Sequence, residues 1–365
     1  MMWTTKSSKI PNVQIFVNEN GEEVVSPIKI GGRYTVYDIL SVSGGFGVIL
    51  KAKDTRLGDR TVLVKARRYD KENGLFSYEK DRSRIDRIEK IRKVTRFEYN
   101  CLIDFKTLGE GRIPNVNDIV EDFCPSIYGP HLSTDGKVFV CTDYVAYNEP
   151  YIIMQMINGI NLGEYLKSGI RNIMLSRNYK FYKSWERDVL QYSLQLATIL
   201  GGFHKKDKEN YNRYYIYQDL KPENIIITDD LFLTLLDFGA MTMVIEDNQG
   251  NARSNIEGCG SAGVGTWGYK APEMNNPSKL AKLDRRVDIY SLGATMYHML
   301  TGENLSLTLK DEYGRIPVDN LKKFSCTEYT YNIVKKCTEY NANERYNDMI
   351  EAKNDIYKSF MSIRG

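Results

Sequence analysis

This 365-residue chain has no long apolar run, no closely spaced pair of cysteines and only three histidines. The N-terminus lacks the apolar core of roughly 7–15 residues that a secretory signal carries. No stretch approaches the ~18 apolar residues of a membrane span. The six cysteines form no C-x-x-C pair and the three histidines are far apart, so neither a zinc cluster nor a disulfide framework is indicated. We therefore expect a soluble, cytoplasmic protein with reduced thiols and no membrane partner.

A strong charge imbalance is also missing. Lys and Arg total 50 against 47 Asp and Glu, which gives a formal net charge of +3. Because nucleic-acid-binding proteins usually have a larger basic excess, we expect no nucleic-acid partner. Hydrophobic residues make up 42% of the chain, which is enough to build a sizeable core. Tyrosine is unusually abundant, with 26 residues against 13 phenylalanines.

Apolar periodicity divides the chain into a β-rich first part and an α-rich second part. The Asn20-Gly21 pair predicts a tight hairpin turn near the N-terminus, and residues 34–64 are rich in strand-forming residues. Isoleucines and valines recur every three residues within 77–105, which predicts a helix there. Further strands are predicted over 138–145 and 151–156, and helices over 185–204, 286–301 and 332–337.

This segregation predicts an α+β fold with two lobes joined near Gln155–Gly159. We assign residues 1–32 to a β-hairpin extension, 33–156 to the first lobe and 157–365 to the second. The helix that includes residues 80–98 is rich in Lys and Arg. A solvated face is the favoured interpretation, and a docking surface for a regulatory partner is the alternative.

One short segment, Tyr217-Gln218-Asp219-Leu220-Lys221-Pro222-Glu223-Asn224, is dense in polar chemistry. Asp219 can accept a proton from an incoming hydroxyl, and Lys221 can neutralise charge on a transferring phosphoryl group. Asn224 and Asp237 offer the hard oxygen ligands that suit Mg²⁺. Asp237 opens Asp237-Phe238-Gly239, thirteen residues after Asn224. Together these motifs resemble the catalytic loop and metal-binding motif of eukaryotic-type (Hanks-type) serine/threonine protein kinases.

The resemblance extends to the residues that bind ATP in that family. Residues 43–49 look like the glycine-rich loop, and Val62–Lys65 looks like the strand that ends in a phosphate-binding lysine. Its helical partner would be Glu98, with Glu89 as the alternative. Residues 151–162 look like the hinge, in which Met154 would be the gatekeeper. The implied ATP-binding residues are Gly44, Gly45, Phe46, Gly47, Ile49, Lys65, Glu98, Met154, Gln155 and Ile157.

Further motifs follow in the order of the family. Residues 265–273 end in Ala-Pro-Glu and resemble the end of an activation segment. The family pattern implies that Asp288 anchors the catalytic loop and that Arg345 pairs with Glu273. The resemblance covers residues 34–357. It implies a bilobal fold with a β-rich N-lobe, one long helix in that lobe and an α-rich C-lobe.

Four positions depart from the family pattern. Val42 stands in place of the first loop glycine, Leu63 replaces a small residue against the adenine, and Tyr217 replaces a histidine. Gln218 replaces the arginine that binds a phosphorylated activation loop, so we expect no switching by that route. The candidates for autophosphorylation are Ser254, Ser261 and Thr266, of which Thr266 is better suited to substrate positioning.

We therefore expect transfer of the γ-phosphoryl group of ATP to Ser or Thr hydroxyls of protein substrates, with autophosphorylation. Asp219 and Lys221 would carry catalysis, and Asn224 and Asp237 would hold Mg²⁺, with Mn²⁺ as an alternative. A pseudokinase scaffold that binds nucleotide weakly or not at all is the rival interpretation, motivated by Val42, Leu63 and Gln218. A small-molecule kinase is disfavoured, because such enzymes lack the Ala-Pro-Glu segment.

Overall fold

A computed structural model gives the fold and divides the chain into two compact units. Unit 1 comprises Met1–Asn100 and Asn115–Met156, and unit 2 comprises Cys101–Pro114 and Ile157–Gly365. The strand predicted over 138–145 lies outside the described residues. The structure describes residues 2–7, 12–42, 47–67, 82–108, 112–122, 149–170, 179–207, 209, 212–254, 256–257, 260, 262–309, 311–324 and 326–363.

Unit 1 is dominated by antiparallel strands. They are β1 (Trp3–Ser7), β2 (Val13–Asn18), β3 (Glu23–Pro27), β4 (Lys29–Ile30), β5 (Tyr34–Ser41), β6 (Gly47–Asp54), β7 (Arg60–Arg67), β8 (Val116–Asp122) and β9 (Glu149–Gln155). Strands β1 to β3 form one sheet, and the other strands form a second sheet in the order β4-β5-β6-β7-β9-β8. Alternate residues of β6 are buried, which is the period of two expected for a half-buried strand.

The two sheets of unit 1 share one apolar core. Phe16 and Val24 from the N-terminal sheet lie in the same cluster as Val36, Leu50 and Val64 from the larger sheet. Gly21 takes a positive φ in the turn between β2 and β3, where the sequence predicted a hairpin turn. Burial of apolar surface therefore holds the N-terminal strands to the rest of the unit.

Helix α1 (Arg82–Asp104) begins in unit 1 and ends in unit 2. Its described buried side chains include Arg92, Thr95 and Glu98, which recur at three-residue intervals along one face. Because Arg92 is fully buried, the interpretation of this helix as a solvated basic face is wrong for that residue. Lys90 and Lys93 are exposed, as that interpretation expected.

Unit 2 is rich in helices, so the predicted α+β class is confirmed. Helix α4 (Arg286–Thr301) is buried from Val287 to Thr301 and packs against α3 (Tyr179–Phe203) and α6 (Glu328–Cys337). Among the described residues, no helix combines the length and apolar character needed to cross a bilayer. The helices are α2 (Leu162–Tyr165), α3 (Tyr179–Phe203), α4 (Arg286–Thr301), α5 (Leu305–Thr308), α6 (Glu328–Cys337) and α7 (Met349–Ser362). The strands are β10 (Gly159–Asn161), β11 (Tyr214–Ile216), β12 (Ile225–Thr228), β13 (Leu233–Leu235), β14 (Thr242–Glu246) and β15 (Ala252–Arg253).

Candidate active site

The polar loop between β11 and β12, which contains Asp219, Lys221 and Asn224, is anchored by helix α4. Asp288, near the start of α4, accepts hydrogen bonds from the backbone N–H groups of Tyr217 and Gln218, both at 2.8 Å. Its carboxylate also lies 2.9 Å from His204 Nε2. Gln218 has a φ of +69°, a conformation that is unfavourable for a residue with a side chain. The charge-assisted hydrogen bonds offset that strain, which confirms the predicted anchoring role of Asp288.

Asp219 is held by three side-chain donors. Thr266 Oγ1 donates to Asp219 Oδ1 at 2.7 Å, while Lys221 Nζ donates to Asp219 Oδ2 at 2.9 Å. Asn224 Nδ2 donates to the same Oδ2 atom at 3.0 Å. Lys221 also donates to Thr266 Oγ1 at 2.6 Å. The structure thus brings the two predicted catalytic residues together and adds Thr266, which the sequence had associated with substrate positioning.

A backbone hydrogen bond links Asn224 to the residue that precedes Asp237. Leu236 N–H, next to Asp237, donates to Asn224 O at 2.8 Å. Asp237 takes a φ of +54°, and its Oδ1 accepts from Gly239 N–H at 3.2 Å. Because the Asn224 amide nitrogen is committed to Asp219, the Oδ1 atom of that amide has no hydrogen-bond donor among the described residues. An amide oxygen and a carboxylate thus belong to this part of the site, and oxygen ligands of these two kinds suit Mg²⁺.

In unit 1, the amino group of Lys65 contacts Glu98 Oε1. Both side chains are largely buried, with exposures of 10% and 2%. Burial makes such a pair sensitive to geometry, because each charge loses its hydration and depends on its partner. The structure thus places Glu98 against Lys65, whereas the side chain of the alternative, Glu89, lies outside the described residues.

Other predicted nucleotide-binding residues share the face of the sheet that carries Lys65. Ile49 lies directly opposite Lys65 in the β6–β7 pair, and Leu63 lies opposite Met154 in the β7–β9 pair. Directly opposite residues project from the same face, and so do residues two apart on one strand. Leu63 and Met154 are both buried. Gly47 opens β6, whereas Gly44, Gly45 and Phe46 lie outside the described residues.

The predicted hinge residues fall on either side of the division between the units. Gln155 ends β9 in unit 1, and its N–H donates to Asn115 O at 2.9 Å. Ile157 is the first residue of the second segment of unit 2. The role of both residues at an adenine edge stays a prediction.

Gln218 connects two parts of the segment that follows Asp237. Its Nε2 donates to Ala240 O, and its Oε1 accepts from Gly263 N–H at 2.8 Å. The side chain is fully buried. An uncharged amide therefore occupies this position and uses both its donor and its acceptor.

The first half of the same segment is built into a sheet. Strand β14 pairs with both β11 and β15 in antiparallel fashion. Ser254 is buried, donates to Leu280 O at 2.6 Å and accepts from Leu283 N–H at 2.9 Å. The prediction of Ser254 as an accessible phosphorylation site is therefore wrong for this conformation. Ser261, another predicted site, lies outside the described residues.

Glu273 and Arg345 form the ion pair that the sequence predicted. Arg345 Nη1 and Nη2 donate to the two carboxylate oxygens at 2.7 and 2.8 Å. The arginine side chain is fully buried and also donates to backbone carbonyls, including Glu339 O at 2.8 Å. This bidentate geometry fixes the end of the segment that follows the catalytic loop.

Sequence reasoning missed a set of buried, hydrogen-bonded polar side chains next to this segment. Tyr269 Oη lies 2.6 Å from His298 Nδ1, and Asn304 Nδ2 donates to Glu223 Oε1 at 3.0 Å. Burial lowers the pKa of His298 to about 4 and raises the pKa of the Tyr269 phenol. The phenol therefore donates and the neutral imidazole accepts. The burial of His298 follows from the burial of α4 on all sides, and no other feature could have indicated it.

The chain belongs to the protein kinase family, because the family model for the protein kinase domain matches residues 138–357. It is 24% identical over 343 residues to a protein of Clostridium acetobutylicum named as a probable serine/threonine-protein kinase, covering 89% of this chain and 41% of that protein. It is 27% identical over 272 residues to the probable serine/threonine-protein kinase PknB of Bifidobacterium longum, covering 74% of this chain and 30% of that protein.

A eukaryotic relative shows a similar level of identity. The chain is 26% identical over 243 residues to the serine/threonine-protein kinase cds1 of Schizosaccharomyces pombe, covering 62% of this chain and 44% of that protein. The chain therefore spans less than half the length of these three relatives.

Proposed function

We propose that this protein is an ATP-dependent protein kinase that phosphorylates Ser or Thr hydroxyls of protein substrates and also phosphorylates itself. The observation that carries this proposal is the arrangement around Asp219, whose carboxylate is held by Thr266, Lys221 and Asn224. A carboxylate fixed in this way can orient an incoming hydroxyl and accept its proton. Family membership and the named serine/threonine kinases among its relatives support the same activity.

Each fixed side chain has a role in the proposed transfer. Asp219 accepts the proton of the attacking hydroxyl, so that oxygen can bond to the γ-phosphorus as the bond to the β-phosphate oxygen breaks. Lys221 supplies positive charge to the transferring group. Thr266 Oγ1 donates to Asp219 Oδ1 and accepts from Lys221 Nζ, so Lys221 is oriented by both Asp219 and Thr266. Positioning of this kind can supply much of the acceleration in phosphoryl transfer.

Asn224 Oδ1 and the Asp237 carboxylate would hold Mg²⁺, or Mn²⁺, when ATP is bound. The ion would supply charge that stabilises the phosphate oxygens. In unit 1, Lys65 would bind the nucleotide phosphates while Glu98 fixes its amino group. Gly44, Gly45, Phe46, Gly47, Ile49, Met154, Gln155 and Ile157 remain the proposed contacts to the rest of the nucleotide.

The test is incubation of purified protein with γ-labelled ATP and Mg²⁺, with and without generic protein substrates. Asp219→Asn removes the proton acceptor with little change in size, and we expect a loss of about 10²- to 10⁴-fold in kcat. Asp230→Asn, at an exposed aspartate of the same unit, is the matched control and is expected to retain activity. Label should appear on phosphoserine or phosphothreonine after acid hydrolysis.

The outcomes separate the rival functions. Phosphate on protein that does not depend on Asp219 would contradict the proposal, as would no transfer at all. Nucleotide binding without transfer would instead support a scaffold, and transfer only to small molecules would support a small-molecule kinase.

Two finer expectations rest on this proposal. The basic helix of residues 80–98, on which Lys90 and Lys93 are exposed, is the surface that we propose for a regulatory partner. A cytoplasmic location is proposed from the reduced character expected of the cysteines.

A further inference from the structure

Two ion pairs tie helix α1 to neighbouring strands of the six-stranded sheet in unit 1. Glu98 contacts Lys65 on β7. Two turns earlier on the helix, Arg92 Nε donates to Glu149 Oε2 at 3.0 Å, and Glu149 is the first residue of β9. Strands β7 and β9 are adjacent, with Lys65 opposite Ile152. The helix is therefore fastened to the sheet at two points.

A third pair is of a different kind. Arg96 Nε donates to Glu121 Oε1 on β8 at 2.6 Å, but these side chains are 34% and 38% exposed. Exposed pairs contribute little because water and salt screen them. Arg92 and Glu149, in contrast, are each only 1% exposed.

Stability alone gives a weak reason to bury such a pair. Moving two charges out of water costs free energy that their attraction barely returns, and apolar side chains of similar size often stabilise a core as well. What a buried ion pair adds is a requirement for one geometry, because a shifted helix would leave both charges without hydration. The pair between Arg92 and Glu149 thus fixes both the rotation and the translation of α1 against β9.

The position of Glu98 follows from this constraint. Arg92 and Glu98 are six residues apart, which corresponds to about 9 Å along the helix axis. Thr95 lies between them, and all three side chains are buried. Since an α-helix of this length is stiff, fixing it at Arg92 limits where the carboxylate of Glu98 can lie.

We propose that Arg92 and Glu149 are positioning residues for phosphoryl transfer, which hold α1 where Glu98 reaches Lys65. This inference rests on the kinase activity proposed above. It assigns a function to a buried arginine that lies in the basic segment of the helix.

The test removes both charges at once, because a single change would leave one buried charge without the partner described here. We combine Arg92→Met with Glu149→Gln and measure kcat/KM for ATP together with the unfolding temperature. The expected loss in kcat/KM is about 10- to 100-fold, since small displacements of catalytic groups have effects of that size. Arg60→Met is the matched control, because Arg60 is exposed at the start of β7, and it should change kcat/KM less than about twofold.

A double-mutant cycle with Glu98→Gln separates positioning from general stability. If the pair acts through Glu98, the charge-removing changes should reduce kcat/KM less than about threefold in the Glu98→Gln background. An equal loss in both backgrounds would show a merely structural role and overturn the inference, and so would full activity of the variant with Glu98 intact. A variant that does not fold is replaced by Arg92→Gln combined with Glu149→Gln, which also removes both charges but keeps two side chains that can hydrogen-bond, measured in the same cycle.

Failure of this inference differs from failure of the proposed function. Wild-type protein without Asp219-dependent transfer would remove the kinase activity itself. Wild-type protein that transfers phosphate, with no coupling between the Arg92–Glu149 pair and Glu98, would overturn only the positioning role.

Discussion

Thr266 lies between two charged side chains of the catalytic loop, donating to Asp219 Oδ1 at 2.7 Å and accepting from Lys221 Nζ at 2.6 Å. A hydroxyl can do both at once, because it carries one donor and two acceptor lone pairs. A single neutral side chain thus holds the proposed proton acceptor and the proposed phosphate-binding cation in one arrangement.

Removal of this hydroxyl should reduce turnover more than stability. Hydrogen bonds to charged groups contribute about 1.5–3 kcal/mol, so we expect Thr266→Ala to lower kcat roughly 10- to 100-fold. Thr266→Ser keeps the hydroxyl and should stay within about threefold of wild type. Steady-state assays with labelled ATP measure both variants. Equal activity of the alanine and serine variants would show that the hydroxyl has no part in turnover.

At the scale of elements, the segment that follows Asp237 is held within unit 2 by strand pairing, by the amide of Gln218 and by ion pairs. Strand β14 is paired on both sides, and Gln218 bridges Ala240 O and Gly263 N–H. Glu246, at the end of β14, contacts both Lys206 and Arg285. These contacts are made by backbone and side-chain groups of the chain itself, so we expect the segment to keep its conformation in the unmodified protein.

Treatment with a protein phosphatase should therefore leave kcat/KM within about twofold of the untreated value, with removal of phosphate checked by mass spectrometry. Gln218→Arg should lower activity at least about tenfold, because arginine offers no acceptor to Gly263 N–H and would bury a charge. Gln249→Arg, in the exposed turn between β14 and β15, is the matched control and should be fully active. A large loss of activity after phosphatase treatment would refute this account of the segment.

At the scale of the whole molecule, tyrosine hydroxyls supply hydrogen bonds to backbone carbonyl groups inside the core. Tyr290 Oη donates to Gly314 O at 2.7 Å, and Tyr182 Oη donates to Leu300 O at 3.4 Å. Burial raises the pKa of both phenols, so they remain protonated donors. A phenylalanine would fill the same space but would leave those carbonyl groups without this donor. The tyrosine excess seen in the sequence is thus partly structural.

The stability of the folded protein should depend on pH through His298. Its folded pKa is lowered to about 4 by burial and by the charge of Lys167, whereas an unfolded histidine titrates near 6.5. Between these values the unfolded chain binds a proton that the folded chain does not. The free energy of unfolding should therefore fall as the pH drops from about 6.5 to 4, by about 3 kcal/mol in full.

Urea denaturation at pH 7, 5.5 and 4.5 measures this effect in wild type and in His298→Gln. Because glutamine does not titrate, the variant should lose less stability on acidification, and the difference should reach about 2–3 kcal/mol at pH 4.5. Parallel stability curves for the two proteins would contradict the assignment to His298.

Local patterns predicted the regular elements better than the contacts between them. The alternation of β6 and the apolar periods of α3 and α4 were readable from the sequence, and the motif order located Asp219, Asp237 and Asp288. Strand β8 was missed, because its sequence Val116–Asp122 is mostly polar or acidic and resembles a loop.

The burial of Arg92 could not be predicted for a related reason. A charged residue on a helix is normally exposed, and its partner Glu149 lies 57 residues away along the chain. Such pairings depend on tertiary structure, about which the helical periodicity of a sequence gives no information. The buried environment of Ser254 was missed for the same reason.

That separation along the chain also has a consequence for synthesis on the ribosome. At about 5–20 residues per second, Glu149 is polymerised about 3–11 s after Arg92. During that interval Arg92 lacks this partner, although Lys65 has already been made and Glu98 follows six residues after Arg92. The nascent α1 helix therefore passes through a period in which its ion-pair partner on β9 has not been synthesised.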